Sequence, residues 1–246
     1  MIFTGPHWWA GLVQIGVLAA ELLLLLLILR RYPKISNVVI LCAGLYFLAY
    51  KLWENIYNHK WPIDFSAVTY FLFGIAALLP FRPLKTTASF SGFLAGSIFI
   101  ASFILFPEVH VKTSPSLYYR AMGVFNHNLL FTVSFAMMFQ YRFSKSHIAC
   151  IIGWLAVAAI YAEVMINVLH VSDTIEIITQ IIDGSILSEL IPGFTPAWWS
   201  LLIYYLLFAA LLGAFLWLTY RLNSLFIKEP GEAKGGEPTP DINPTL

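Results

Sequence analysis

The stretch WWAGLVQIGVLAAELLLLLLILRR, residues 8–31, decides how the whole chain is read. Its first part, residues 8–29, holds one ionisable group, Glu21, and is followed at once by Arg30 and Arg31. A hydrocarbon core about 30 Å thick needs roughly 20 apolar residues in a helix rising 1.5 Å per residue, and this run satisfies it. No Lys or Arg precedes the run, so its polarity is the reverse of a cleavable signal peptide. It reads as a retained span whose short N-terminus lies outside.

Working outward, six further apolar stretches follow, near 36–57, 64–81, 88–106, 121–140, 148–170 and 198–219. Ten of the 14 Lys and Arg residues (Arg30, Arg31, Lys34, Arg82, Lys85, Arg142, Lys145, Arg221, Lys228 and Lys234) fall in the first, third and fifth connections and the tail. The positive-inside rule makes those regions cytoplasmic. The expected fold is therefore an all-α membrane protein, a seven-transmembrane-helix bundle with N-terminus outside and C-terminus cytoplasmic, passing several times through a plasma (inner) membrane. The membrane domain covers 1–227. Within it, 171–197 carries Asp173, Glu176, Asp183 and Glu189 without any Lys or Arg, and reads as an amphipathic or re-entrant outer cap. Residues 228–246 are rich in Glu, Gly and Pro and read as a disordered cytoplasmic tail.

Composition agrees with lipid as the solvent. The chain is 59% hydrophobic, 16% aromatic and only 11% charged, with a mean hydropathy of +0.78. No basic cluster could follow a nucleic-acid backbone, and no internal repeat supports an inverted-repeat transporter. Cys42 and Cys150 lie near the cytoplasmic ends of their spans and read as free core thiols.

Ionisable residues within spans point to sites, because each costs several kcal/mol unless paired or solvated. Lys51, Glu54 and Asn55 share a face of the second span, and Glu163, Asn167 and His170 a face of the sixth. The fifth span brings Arg120, Gly123, His127 and Ser134 to one side, with Asn126 and Asn128 flanking the histidine. His7, Gln14 and Glu21 recur every seven residues, a polar stripe descending the first span. Asp64, Ser66 and Thr69 open the third span after Trp61 and Pro62. Groups from five helices at similar depth imply one shared polar pocket opening outward.

Three chemistries fit these residue types. Ser66 as nucleophile, His127 as base and Glu163 as its orienter would perform acyl transfer, with Lys51, Glu54, Asp64, Arg120, Asn167 and His170 binding substrate. Metal binding by His127, His170, Glu163 and Asp64 lacks any paired-ligand spacing on one helix, so neither metal nor cofactor is assigned. Transport, with Lys51, Glu54 and Glu163 as a relay, is the third, and the structural alternative for Lys51 and Glu54 is an interfacial ion pair. The partner expected is membrane lipid; a non-catalytic role beside another membrane subunit is the rival reading.

Several of these features together resemble the YwaF-type integral membrane family: His7, the Trp61-Pro62-Ile63-Asp64-Phe65-Ser66 start of the third span, Phe106-Pro107, His127, and Ile186 to Pro192 ahead of Trp198. The resemblance runs over most of residues 1–220. The family looks related to a eukaryotic multispan acyltransferase group of ether-phospholipid remodelling, which implies chemistry on a lipid acyl chain. There the third span opens Leu-Pro-x-His/Gln-x-Cys, the cysteine being the implied acyl acceptor; here Ser66 stands at that position and Asp64 at the preceding polar one.

Overall fold

The computed structural model describes residues 6–59, 61–113, 116–171 and 197–227. Among them there are only helices: α1 (Trp8–Leu24), which runs on through a π-helical turn (Leu25–Leu29), α2 (Pro33–Asn58), α3 (Phe65–Leu78), α4 (Arg82–Leu105), α5 (Pro107–Thr113), α6 (Leu117–Met138), α7 (Lys145–Asn167) and α8 (Trp198–Phe226). Six, all but α3 and α5, are long and apolar enough to cross a membrane. With 14 residues, α3 extends only about 21 Å at 1.5 Å per residue. It starts at Asp64 in the N-cap position and stops where Leu79 turns extended ahead of Pro80. The expected cap falls largely on 172–196 and the expected tail on 228–246, outside the described residues.

Proline sets two of the starts. Pro33 and Pro83 lie in the first turns of α2 and α4, where a missing N–H costs nothing. That placement lengthens the fourth helix to begin at Arg82 rather than near residue 88. Pro107 likewise opens α5, a short helix that the hydropathy pattern does not predict.

α4 and α6 form the centre, with α3 and α2 layered on one side and α1 and α7 against α4. Helices in lipid gain little from apolar burial against one another, so close contact falls to small residues. Along α4, Ala88, Gly92 and Gly96 recur every four residues and are buried. A side chain at Gly92 would overlap Ser134, and one at Gly96 would put its Cβ 2.7 Å from that of Phe131. Ser89 Oγ donates to the Ser134 carbonyl at 2.8 Å across the same contact. Beside it Phe93 packs on Phe131, Phe135 and Phe215, with ring centroids 5.2–5.4 Å apart.

The two ends of the bundle differ. At the end carrying Arg30, polar side chains tie the helices together: Gln140 Nε2 donates to Ser36 Oγ (2.6 Å), Lys85 Nζ to Tyr141 Oη (3.0 Å), and Arg30 lies 4.9 Å over the Phe226 ring. The π turn belongs to this end, with Leu25 and Leu29 buried in the core cluster. Toward the other end α1 packs on α4, with Gly11 close to the Ile104 carbonyl, and a cleft opens between α1 and α6. Cys42 and Cys150 are unpaired as expected, but they lie on exposed helix faces rather than in the core.

Candidate functional site

Three consecutive residues of α6 show why the polar groups do not share one pocket. Successive helical residues point about 100° apart. Asn126 Oδ1 accepts from Tyr46 Oη on α2 at 2.6 Å. His127 stacks on Phe99 of α4, with centroids 3.9 Å apart, and meets the Tyr70 ring of α3 edge-on. Asn128 accepts from Gln14 Nε2 of α1 at 2.7 Å. One sequence tripeptide thus serves three different interfaces.

Two separate polar assemblies result. The first lies between α2, α3 and α6. Glu54, 8% exposed, accepts from Lys51 Nζ at 2.5 Å and from Tyr50 Oη at 2.8 Å, and the Lys51 ammonium also lies 5.2 Å from the centroids of Tyr50 and Tyr70. Lys51 and Glu54 therefore pair with each other, and the pair is largely buried between helices rather than snorkelling outward at the interface. Tyr50 was not singled out by sequence, although its position four before Glu54 was the available signal.

The proposed catalytic residues are not joined. His127 Nδ1 pairs with the Gly123 carbonyl at 2.8 Å, and Glu163 accepts from Asn167 Nδ2 of its own helix at 2.6 Å on an exposed face. Among the described residues no hydrogen bond links Ser66, His127 and Glu163. Glu163 is held away because Ala162 and Met165, on other faces of α7, pack against Ile63. Ser66 sits half-buried in the first turn of α3, behind Asp64. His170 follows α7 in a left-handed conformation (φ 50°) and is exposed. A serine-directed fluorophosphonate probe is therefore expected to leave Ser66 unlabelled; labelling lost in Ser66→Ala would reinstate it as a nucleophile. Also among the described residues, no three His, Cys, Asp or Glu side chains converge as metal ligands.

The second assembly is the cleft between α1 and α6, about 640 Å³ in volume. From α6 it is lined by Arg120, Ala121, Val124, Phe125, Asn128, Leu129 and Thr132, one continuous helical face, and from α1 by Ala10, Val13, Gln14, Val17, Glu21 and Leu24. The expected stripe of His7, Gln14 and Glu21 is thus brought to a single surface. Arg120 stands at the mouth, where its Nη2 donates to the Val111 carbonyl (2.6 Å) while its buried Nε finds no partner among the described residues. His7 donates its backbone N–H to Glu108 of α5 beside it. His110, also on α5, packs on Phe99 and Phe103 with its Nε2 2.9 Å from Ser102 Oγ, and burial pushes its imidazole below the usual range. Halfway down, Gln14 and Asn128 close on each other. At the floor Glu21 and Thr132 face the cleft above the π turn. Thr132 went unremarked in the sequence; its place four residues after Asn128, on the same face, was the signal.

Of the two cations expected to bind substrate, Arg120 lines this cleft, whereas Lys51 lies in the first assembly with Glu54. Comparisons with protein-family models, with curated proteins and with solved structures return no match, and the chemistry of the cleft rests on its own geometry.

Proposed function

We propose that this is a multi-pass membrane protein that binds a lipid or fatty acyl chain in the α1–α6 cleft. The observation that carries the reading is the cleft's make-up: a guanidinium at one end, walls of mainly Val, Leu, Ala and Phe, and a few polar groups, Gln14, Asn128, Glu21 and Thr132, set among them. An arginine guanidinium beside an apolar cleft suits a carboxylate or phosphate. From Arg120 to Thr132 is about 18 Å at 1.5 Å per residue, close to the roughly 15 Å that one leaflet contributes to a 30 Å hydrocarbon core. A single acyl chain with an anionic head matches both dimensions.

The test is photo-crosslinking of the protein in nanodiscs with a diazirine fatty acid. Adducts are expected on cleft-facing residues of α1 and α6, and to be competed away by palmitate. Adducts spread over α7 and α8 as densely as over the cleft would overturn the reading. Acyl transfer, which the YwaF resemblance implies, would require Ser66 and His127 to meet, and the cleft reading does not depend on it.

The same proposal takes α3 as a seventh, short crossing, with the cleft mouth outside and the Arg30 end cytoplasmic in a plasma membrane. The distribution of Lys and Arg supports this orientation. In a background lacking Cys42 and Cys150, Ser116→Cys is expected to react with an impermeant thiol reagent added to intact cells, and Phe81→Cys is not. The opposite pattern would invert the topology.

A further inference from the structure

We propose that the Arg30 end of the bundle binds the head group of an anionic phospholipid at the seam where α4 and α7 begin, with Arg82, Lys85 and His147 as its contacts. This site is separate from the α1–α6 cleft and does not depend on what the cleft holds.

The positive charge at this end is uncompensated within the described chain. Arg30, Arg31, Lys34, Arg82, Lys85 and Lys145 all lie there, whereas the described carboxylates lie elsewhere: Glu54, Asp64, Glu108 and Glu163 toward the opposite end, and Glu21 nine residues before Arg30. The ion pairs among the described residues, Lys51 with Glu54 and Lys112 with Glu108, also belong to the opposite end. Here the cations are seated on neutral groups instead. Arg30 lies over Phe226, Arg221 lies 5.6 Å from the centre of the Trp217 ring, and Lys85 Nζ donates to Tyr141 Oη at 3.0 Å while lying 4.8 Å from that ring's centroid. An aromatic ring or a hydroxyl orients a cation without supplying a counter-charge.

Two contacts draw basic groups to one seam. Lys85, in the first turn of α4, reaches Tyr141 on the connection between α6 and α7. Arg82, three residues earlier on the same face, lies within electrostatic reach of His147 in the first turn of α7, and the two helices pack against each other. Arg82 is exposed, and Lys85 and His147 are half-buried, so all three can be reached from outside the bundle. His147 Nδ1 accepts from the Ser144 backbone N–H at 3.5 Å, which puts the ring's own N–H on Nε2, where it can donate to a ligand. Both helices start here, so the positive ends of their dipoles add to the side-chain charge.

A phospholipid is the anion that matches this position. α4 and α7 are each long and apolar enough to cross a membrane, which places their first turns at the level of the lipid head groups. A phosphodiester offers acceptor oxygens to a guanidinium, an ammonium and an imidazole N–H, and basic groups between spans recognise anionic head groups in this way. A zwitterionic head group brings its own ammonium, which a seam built of cations repels, so the site selects for net negative charge.

The test is electron spin resonance of the full chain in phosphatidylcholine vesicles holding a trace of spin-labelled phosphatidylglycerol or spin-labelled phosphatidylcholine. The phosphatidylglycerol label is expected to associate about fivefold more strongly, a preference that shrinks at high salt. In the double variant Arg82→Gln, Lys85→Gln the preference should fall to about twofold or less. The double variant Arg31→Gln, Lys34→Gln removes the same charge from the connection between α1 and α2 and should keep most of it. The amount of phosphatidylcholine immobilised per protein, unchanged in both, reports that the variants are folded. Equal association of the two labels with the parent protein, or equal losses in the two double variants, would overturn the site. So would a preference abolished by inorganic phosphate but not by sodium chloride of the same low ionic strength, which would assign the seam to a soluble anion.

Discussion

Arg120→Gln is expected to weaken palmitate binding by about 10–100-fold, the consequence of losing a charge-assisted hydrogen bond of roughly 1.5–3 kcal/mol. The guanidinium is positioned before any ligand arrives. Its Nη2 is held by the Val111 carbonyl, its stem lies along the cleft wall, and its Nε is buried with no partner among the described residues. Glutamine keeps length and polarity but loses charge and fork. Arg120→Lys should recover part of the affinity, because a point charge remains while the planar donor set does not. The measurement is displacement of a fluorescent fatty acid from the protein in nanodiscs, by palmitate and by its methyl ester. The arginine should matter for the acid and hardly for the ester. An acid affinity unchanged in Arg120→Gln would place the anionic head elsewhere.

Asn223→Leu is expected to destabilise the fold by about 2–4 kcal/mol without changing palmitate affinity. Asn223 is 1% exposed, lies near the end of α8 and does not line the cleft. Its Oδ1 accepts from the Phe143 backbone N–H at 2.9 Å, and its Nδ2 donates to the Met138 and Tyr141 carbonyls at 2.6 and 2.9 Å. The last carbonyls of a helix have no partners within it, so this side chain from α8 caps α6 and fixes the turn into α7. Leucine preserves apolar bulk but strands a buried donor and two acceptors. Unfolding in bicelles monitored by tryptophan fluorescence would report the loss. A variant as stable as the parent would show that α8 is not seated by this contact.

How much of this was legible beforehand differs from residue to residue. The Lys51–Glu54 pair was legible only in part, because spacing puts both on one face of a helix but does not choose between that pair and a relay with Glu163. The His7, Gln14 and Glu21 stripe was legible in full, because a seven-residue interval returns to nearly the same face. The convergence of Ser66, His127 and Glu163 was a statement about three helices at once, and their geometry did not follow from it. His127 spends its ring on Phe99 and Tyr70, and Glu163 its carboxylate on Asn167. Asn223 gave no sign of importance, since an asparagine near the end of an apolar helix looks like any interfacial residue.

By itself the sequence determined what lipid and the helical repeat impose: spans long enough for the hydrocarbon, basic residues gathered at one end, and the members of each helical face. Only the tertiary structure decided which faces meet. That choice is made by close packing at Gly92 and Gly96, by the π turn that draws the end of α1 into the core, and by side chains such as Asn223 that reach between helices. Periodicity constrains rotation about one axis, whereas a site between helices depends on the relative rotation and register of two, and those come from contacts distant in the chain.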